Sequence, residues 1–218
     1  IRRTPGRAPI PPPSPNMRNI PAKMFEEYTF TLASASPRRR ELLKGLGIEF
    51  SVEPGKDEIE AFSADLPHTE IPAFLARHKS ETFHRELAPR EVLITADTLV
   101  FLDEKILGKP HDRAEAIAML QALSGRTHTV TTGVALRMTD RMHSFADTTE
   151  VDFKVLSDSE IAYYVDTYRP FDKAGAYGVQ EWIGFTGITA IRGSYFNVMG
   201  LPVQRLYTEL CDFLCSRG

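Results

Sequence analysis

The pattern of apolar and polar positions alternates between segments with strand and helix periodicity. Residues 91–102 form a nearly continuous apolar run, which is typical of a central strand buried on both faces. The segment after Asp112 repeats apolar residues at helical spacing and ends near Gly125. The same reasoning predicts helices near 37–46, 70–84, 112–123, 157–167 and 202–215. It predicts strands near 28–34, 48–53, 91–102, 127–137, 148–155 and 183–198, the last as a hairpin.

Composition limits the class of protein. The chain has 218 residues, 42% of them hydrophobic, which suits one α/β domain or two small lobes around one cleft. No apolar stretch approaches the roughly 18 residues of a membrane span, so none is expected. Cys211 and Cys215 lie one turn apart in a predicted helix, where they make a poor disulfide pair. We interpret them as ordinary thiols in a reducing compartment, which favours the cytoplasm.

The first 23 residues differ from the rest of the chain. They hold seven of the 15 prolines, five Lys or Arg residues and no acidic residue. We therefore expect a disordered, proline-rich basic arm over 1–23 and a folded domain over 24–218. Without the arm the chain has 21 basic and 29 acidic residues. This acidic balance argues against nucleic acid as the main partner.

Residues 32–43 carry a candidate anion site. A strand leads into Ser34 and Ser36, and Ser36 followed by Pro37 is a typical helix start. The first turn then combines free backbone N–H groups, two hydroxyls and the guanidinium groups of Arg38, Arg39 and Arg40. Such a group of donors suits a phosphate, although the spacing is not that of a Walker A loop. The alternative is a capped helix with a solvated basic first turn.

Asp97 is a lone carboxylate within the apolar run. An unpaired buried charge is costly, so Asp97 needs a metal, a cation or water. The alternative is a core aspartate that bonds to a neighbouring Ser or Thr. Thr98 points to the opposite face if the strand is regular, whereas a local twist or bulge would direct both side chains toward one ligand.

Three further sites carry candidate chemistry. Lys109 follows a flexible glycine and would suit a phosphate as a point charge, unless it is an ordinary surface lysine. Gln180 offers both a donor and an acceptor, as reading the edge of uracil or thymine requires, or it is a solvent-facing amide. Asp57 and Glu58 are adjacent acids of the sort that help to hold Mg²⁺, or they are solvated charges.

Six ordered blocks of the sequence resemble the Maf family of nucleoside triphosphate pyrophosphatases. The resemblance covers residues from about 28 to 215 and excludes the arm. The blocks are Leu-Ala-Ser-Ala-Ser-Pro-Arg-Arg-Arg-Glu-Leu-Leu (32–43), Ala-Asp-Thr (96–98), Gly-Lys-Pro (108–110), Leu-Ser-Gly-Arg-Thr-His (123–128), Asp-Lys-Ala-Gly-Ala-Tyr-Gly-Val-Gln (172–180) and Asn-Val-Met-Gly-Leu-Pro (197–202).

The resemblance implies a fold, a reaction and a metal. The expected fold is α/β, a mixed and curved ITPase-like sheet with flanking helices and two lobes around a deep cleft, often in a homodimer. The expected reaction cleaves a nucleoside triphosphate between the α and β phosphates with Mg²⁺ or Mn²⁺, in nucleotide-pool house-cleaning. The family's general base matches Asp97. Its phosphate-binding residues match Ser34, Arg39, Lys79 and Lys109, and its metal-binding residues match Glu58 and Asp97.

Three positions indicate the branch of the family. Arg38, Thr98 and Gln180 agree with the dTTP/UTP branch and differ from the branch that acts on 7-methyl-GTP. The segment Gln180-Glu181-Trp182 departs from the family pattern, because many members carry a Gly or another small residue after the glutamine. Two alternatives stay open. One is a pyrophosphatase for modified or purine nucleotides, and the other is a nucleotide-binding regulator of cell division.

Overall fold

The computed structural model describes residues 24–55 and 66–215. The predictions for the arm 1–23 and for Asp57 and Glu58 therefore lie outside the described residues. The elements follow along the chain as β1 (Thr29–Leu32), α1 (Pro37–Lys44), β2 (Ser51–Val52), α2 (Ile71–Glu81), β3 (Glu91–Leu102), β4 (Lys105–Leu107), α3 (Arg113–Leu123), β5 (Thr127–Arg137), β6 (Met142–Phe153), α4 (Asp158–Tyr168), a 3-10 turn (Ala174–Ala176), α5 (Trp182–Gly187), β7 (Ile188–Arg192), α6 (Tyr195–Met199) and α7 (Val203–Cys215).

The strands form one mixed sheet in the order β2-β1-β3-β5-β6-β7, with β4 on β3. Strand β1 is parallel to β2 and β3, and the other pairs are antiparallel. Along one side of β3, β1 pairs with Glu91–Ile94 and β4 pairs with Val100–Leu102. Within the described chain, residues 95–99 of β3 therefore have no strand on that side. We call this segment the β3 window.

Two hydrophobic clusters lie on the same face of the sheet, because alternate residues of β3 share a face. Val92, Ile94 and Ala96 pack in a cluster with residues of α1 and α7. Val100 and Leu102 pack in a second cluster with residues of α3 and α4. The two clusters leave the central part of β3 between them.

Helix α2 covers the opposite face of β3 and β5. The Thr95 hydroxyl donates a 2.6 Å hydrogen bond to the Ala76 carbonyl of this helix. Gly133 of β5 lies directly beneath the helix, where a Cβ atom would approach the Pro72 carbonyl carbon to 2.0 Å. Glycine at 133 thus allows the backbone of α2 to lie against the sheet.

The structure confirms the predicted α/β class with a mixed sheet and flanking helices. The predicted hairpin over 183–198 is wrong, because this segment forms α5, β7 and α6. Its glycines mislead the sequence pattern: Gly184 lets α5 pack on the Val179 carbonyl oxygen, which a Cβ would meet at 1.8 Å. Strand β6 begins at Met142 rather than near 148, since its polar start still pairs with β5. No helix in the described parts of the chain is both long and apolar enough to cross a bilayer.

Candidate active site

The first turn of α1 lies beside the β3 window. The Ala33 amide still donates to the Ile94 carbonyl at 2.9 Å, and the chain then leaves the sheet. Ser36 caps α1 by accepting a 3.5 Å hydrogen bond from the Arg39 amide, and Pro37 occupies the first turn. The predicted cap is confirmed. The β3 window therefore begins where the chain after β1 leaves the sheet to enter α1.

Arg39 connects α1 with the strand that carries Asp97. Its Nη2 donates to the Thr98 hydroxyl at 3.0 Å, and its Nη1 donates to the Ser34 hydroxyl at 3.4 Å. Its Nε donates to the Gly200 carbonyl at 2.9 Å. The Thr98 and Thr132 hydroxyls lie 2.9 Å apart, so Thr98 is held from two sides.

Asp97 forms an ion pair with Lys79 of α2. Lys79 Nζ lies 2.6 Å from Asp97 Oδ1, and the two side chains are 24% and 16% exposed. Both groups are thus partly shielded yet still in contact with solvent. A buried carboxylate needs a cation, a metal or water beside it, and Lys79 supplies the cation.

Strand β3 is regular at Asp97 and Thr98, since its pairing with β5 runs without a bulge from Leu93 to Phe101. The two side chains therefore point to opposite faces of the sheet, toward α2 and toward α1. Both residues lie in the β3 window, where no neighbouring strand covers them within the described chain. A ligand that approaches this open edge can contact both faces without any bulge.

Lys109 follows β4 at the other end of the window. It is exposed, and it has no hydrogen bond or ion pair within 24–55 and 66–215. The segment 172–180 lies beside it, because the Gly175 amide donates to the Gly108 carbonyl at 3.0 Å. Arg38 reaches the same segment through a 3.0 Å ion pair with Asp172. The contacts thus connect α1, β3, β4 and this segment.

Gln180 occupies a central position of a tight turn. The Glu181 amide closes the turn with a 3.0 Å hydrogen bond to the Gly178 carbonyl. The Gln180 Oε1 atom is buried and has no hydrogen-bond partner among the described residues. A buried acceptor without a partner is costly, so this oxygen suits a donor from a ligand.

A network of ion pairs contacts the last residue of this turn, Glu181. Lys173 is buried, and its Nζ lies 2.7 Å from Asp172 Oδ1 and 3.1 Å from Glu181 Oε1. Burial opposes ionisation of Asp172, but hydrogen bonds from Lys173 and Arg38 outweigh it and lower the pKa of this carboxyl. Asp172 therefore stays negative and holds Arg38 near the window.

Two residues of the site escape sequence reasoning. Tyr164 falls on the apolar face of α4 and Thr132 lies within an apolar strand, so each resembles a core residue in the pattern. The available signal is that a buried tyrosine needs a partner for its hydroxyl. Of the predicted site residues, Asp97 and Thr98 lie in the window, where they contact Lys79 and Arg39, and Arg39 also contacts Ser34. Arg38 contacts the segment 172–180, which carries Gln180 and bonds Gly108 next to Lys109. Glu58 lies outside the described residues.

Fold and site define an α/β protein in which acidic and basic side chains meet at an open strand edge of a mixed sheet. The model of the family described as "Maf-like protein" matches residues 29–213. The chain therefore belongs to the Maf family.

Several curated proteins are similar over most of their length. A dTTP/UTP pyrophosphatase of Bacteroides thetaiotaomicron is 52% identical over 85% of this chain and 96% of its own. The protein of that name from Phocaeicola vulgatus is 53% identical over the same shares. The one from Porphyromonas gingivalis is 49% identical over 87% and 96%. Among solved structures, a HAM1 protein from Coxiella burnetii has a TM-score of 0.42 and 18% identity, over 85% of this chain and 99% of that one.

Proposed function

We propose that this protein hydrolyses nucleoside triphosphates between the α and β phosphates and prefers dTTP and UTP. The products are the nucleoside monophosphate and pyrophosphate. The observation that carries the proposal is the Asp97 carboxylate at the β3 window, paired with Lys79 at 2.6 Å. The names of three relatives that are 49 to 53% identical support the same reaction.

The donor set fits a divalent cation that is shared with the substrate. The described residues contain no group of three or more His, Cys, Asp or Glu side chains that could hold a metal alone. Mg²⁺ typically takes one or two carboxylates together with substrate phosphates and water. Asp97 supplies one such carboxylate, and Glu58 is the second ligand that the family resemblance predicts. When bound, Mg²⁺ or Mn²⁺ supplies neutralisation of phosphate charge.

In this mechanism Asp97 acts as the general base. It orients a water molecule and takes its proton while the water attacks phosphorus in line. Lys79 holds the Asp97 carboxylate at the window. Lys109 and the first turn of α1, with Ser34 and Arg39, stabilise negative charge on the phosphates and on the departing pyrophosphate.

Gln180 selects the base with the help of Arg38 and Thr98. Uracil and thymine present an N3–H donor beside the 4-oxo acceptor. The unpartnered Gln180 Oε1 can accept from N3–H while the amide nitrogen donates to the 4-oxo group. Cytosine presents an acceptor at N3 beside a 4-amino donor, and the Gln180 amide would match this reverse pattern after a rotation of about 180°. Rejection of CTP therefore depends on a fixed amide orientation.

The test is pyrophosphate release with Mg²⁺ from dTTP, UTP, CTP, GTP, ATP and 7-methyl-GTP. We expect preference for dTTP and UTP, loss of most turnover in Asp97→Asn with nucleotide binding kept, and weaker hydrolysis of dTTP and UTP in Gln180→Glu. Asp103→Asn is the matched control, because it makes the same chemical change in the exposed turn that directly follows the same strand. Turnover in Asp97→Asn close to that of the control would exclude Asp97 as the base.

The other outcomes decide between the alternatives. Preference for purine or modified nucleotides would favour a different house-cleaning pyrophosphatase, and no release from any nucleotide would favour a binding regulator of cell division. The homodimer stays a prediction of the family resemblance, and the cytoplasmic location stays a prediction from the two reduced cysteines. Sedimentation of the purified chain tests the first of these.

A further inference from the structure

Tyr164 contacts both ends of the turn that carries Gln180. The Tyr164 hydroxyl accepts a 3.0 Å hydrogen bond from the Gly178 amide and donates to Glu181 Oε2. Gly178 and Glu181 are the first and last residues of that turn, which the 3.0 Å bond between their backbones closes. One hydroxyl thus fixes the two positions that flank Val179 and Gln180.

The Tyr164 side chain is itself fully buried in packed surroundings. It has no exposed surface, it belongs to the cluster of α3 and α4, and its ring stacks on Tyr168 with centroids 5.1 Å apart. Burial and the hydrogen bond to Glu181 raise the pKa of the Tyr164 hydroxyl, which therefore stays protonated and keeps donating. The position of the hydroxyl is set by the core rather than by solvent.

The same contacts extend to Arg38. Glu181 folds back over Gly178, where a Cβ atom would lie 2.8 Å from its Cδ. Its other oxygen lies 3.1 Å from Lys173 Nζ, and Lys173 in turn bonds Asp172, the partner of Arg38. A continuous chain of polar contacts therefore runs from Tyr164 to Arg38, passing directly beside Gln180.

We propose that Tyr164 is a positioning residue for base selection, which acts through Glu181 and Lys173 to hold Gln180 and Arg38 toward the same base. The inference rests on the proposed function, in which the orientation of the Gln180 amide separates uracil and thymine from cytosine. Tyr164 touches no reacting atom. Its loss therefore changes the choice of base more than the chemical step.

The experiment compares kcat/KM for dTTP, UTP and CTP in the full chain and in Tyr164→Phe, which removes only the hydroxyl. We expect the ratio of dTTP to CTP to fall about tenfold, the size of one buried hydrogen bond. We expect kcat for dTTP to change far less than that ratio. Tyr177→Phe is the matched control, since it removes an equally buried hydroxyl that bonds His128 Nε2 at 2.8 Å and leaves the turn intact.

A double-mutant cycle tests the route through Glu181. Glu181→Ala should lower the ratio as Tyr164→Phe does, and the double variant should lose little beyond Glu181→Ala alone. If the two substitutions lower the dTTP-to-CTP ratio by factors that multiply in the double variant, Tyr164 does not act through Glu181. Should Tyr164→Phe fail to fold in a thermal melt, the ratio in Glu181→Ala decides instead.

The outcomes separate the two proposals. A wild-type chain without preference for dTTP and UTP over CTP would refute the proposed function and the role of Tyr164 with it. A wild-type preference that survives in folded Tyr164→Phe and Glu181→Ala would refute the role of Tyr164 alone. A fall of equal size in Tyr177→Phe would also overturn it, because any buried hydroxyl would then have the same effect.

Discussion

Gly133 is the position where one methyl group should disturb both the fold and the site. It pairs directly with Asp97 across β3 and β5, on the face that α2 covers. The Cβ of Gly133→Ala would lie 2.0 Å from the carbonyl carbon of Pro72 and 2.1 Å from its oxygen. Both are backbone atoms, so no side-chain rotation relieves the contact. Helix α2 has to move away from the sheet.

The size of that movement follows from the distances. Ordinary contact begins near 3.4 Å, so a contact of 2.0 Å requires about 1.4 Å of displacement along its direction. The flexible stem of Lys79 can follow part of this movement toward Asp97. The short Thr95 side chain cannot, so its 2.6 Å bond to the Ala76 carbonyl breaks. Overpacking at about 1–3 kcal/mol and the lost bond at about 1 kcal/mol predict about 2–4 kcal/mol of destabilisation.

Urea denaturation measures this loss, and pyrophosphate release measures the effect on the site. A misplacement of about 1 Å costs up to about a hundredfold in rate, so we expect turnover of Gly133→Ala to fall at least about tenfold. Gly55→Ala is the control, because its Cβ has no neighbour within 4 Å among the described residues and its φ is not positive in the left-handed region. Stability equal to that of the control would refute the close contact of α2. Lost stability with normal turnover would refute its role in placing Lys79.

Two further predictions concern the dependence of stability on pH. Burial lowers the pKa of His128 from 6.5 to about 4, so the unfolded state binds the extra proton between these values. The contribution of His128 to the free energy of unfolding should fall by about 2 kcal/mol between about pH 7 and about pH 4.5. Urea denaturation of His128→Gln should show a pH dependence of stability that lacks this contribution. An unchanged slope would contradict the assignment. Hydrogen bonding to Arg85, above all, holds the pKa of the buried Glu91 at about 2 instead of 4.5. This stabilises the fold above about pH 4.5 by about 3 kcal/mol and is lost as the pH falls toward 2, so the measured stability gap between Glu91→Gln and wild type should close over that range. A gap that is the same at both ends would contradict this.

The sequence pattern predicts most of the fold because the long elements have strong periodicity. Strand β3 and helix α3 match their predicted bounds within a residue. The pattern fails between 183 and 198, where short elements depend on contacts that periodicity does not encode. Here Gly184 packs on the Val179 carbonyl oxygen, and such close packing, not the hydrophobic period, decides between helix and strand.

The site is predictable where its residues have a local signature. Ser36 followed by Pro37 predicts a helix start, and Asp97 is the one carboxylate within the apolar run of residues 92–102. The opposite orientation of Asp97 and Thr98 follows from strand geometry, yet the open strand edge at which both residues lie does not. That depends on where β1 and β4 stop along β3, which is a property of three strands together. The contact of Tyr164 with the Gln180 turn is likewise invisible in the pattern.

The β3 window has a consequence for self-association. Among the described residues no strand pairs with its outer side, so it is a short strand edge, and such edges in other proteins recruit strands from neighbouring molecules. Charges at such an edge keep foreign strands away, and here Asp97 and Lys79 lie in or over the window while Lys109 follows at its end. The residues proposed for turnover are therefore also of the kind that opposes strand pairing at this edge. We expect apolar substitutions of these charges to lower solubility together with turnover.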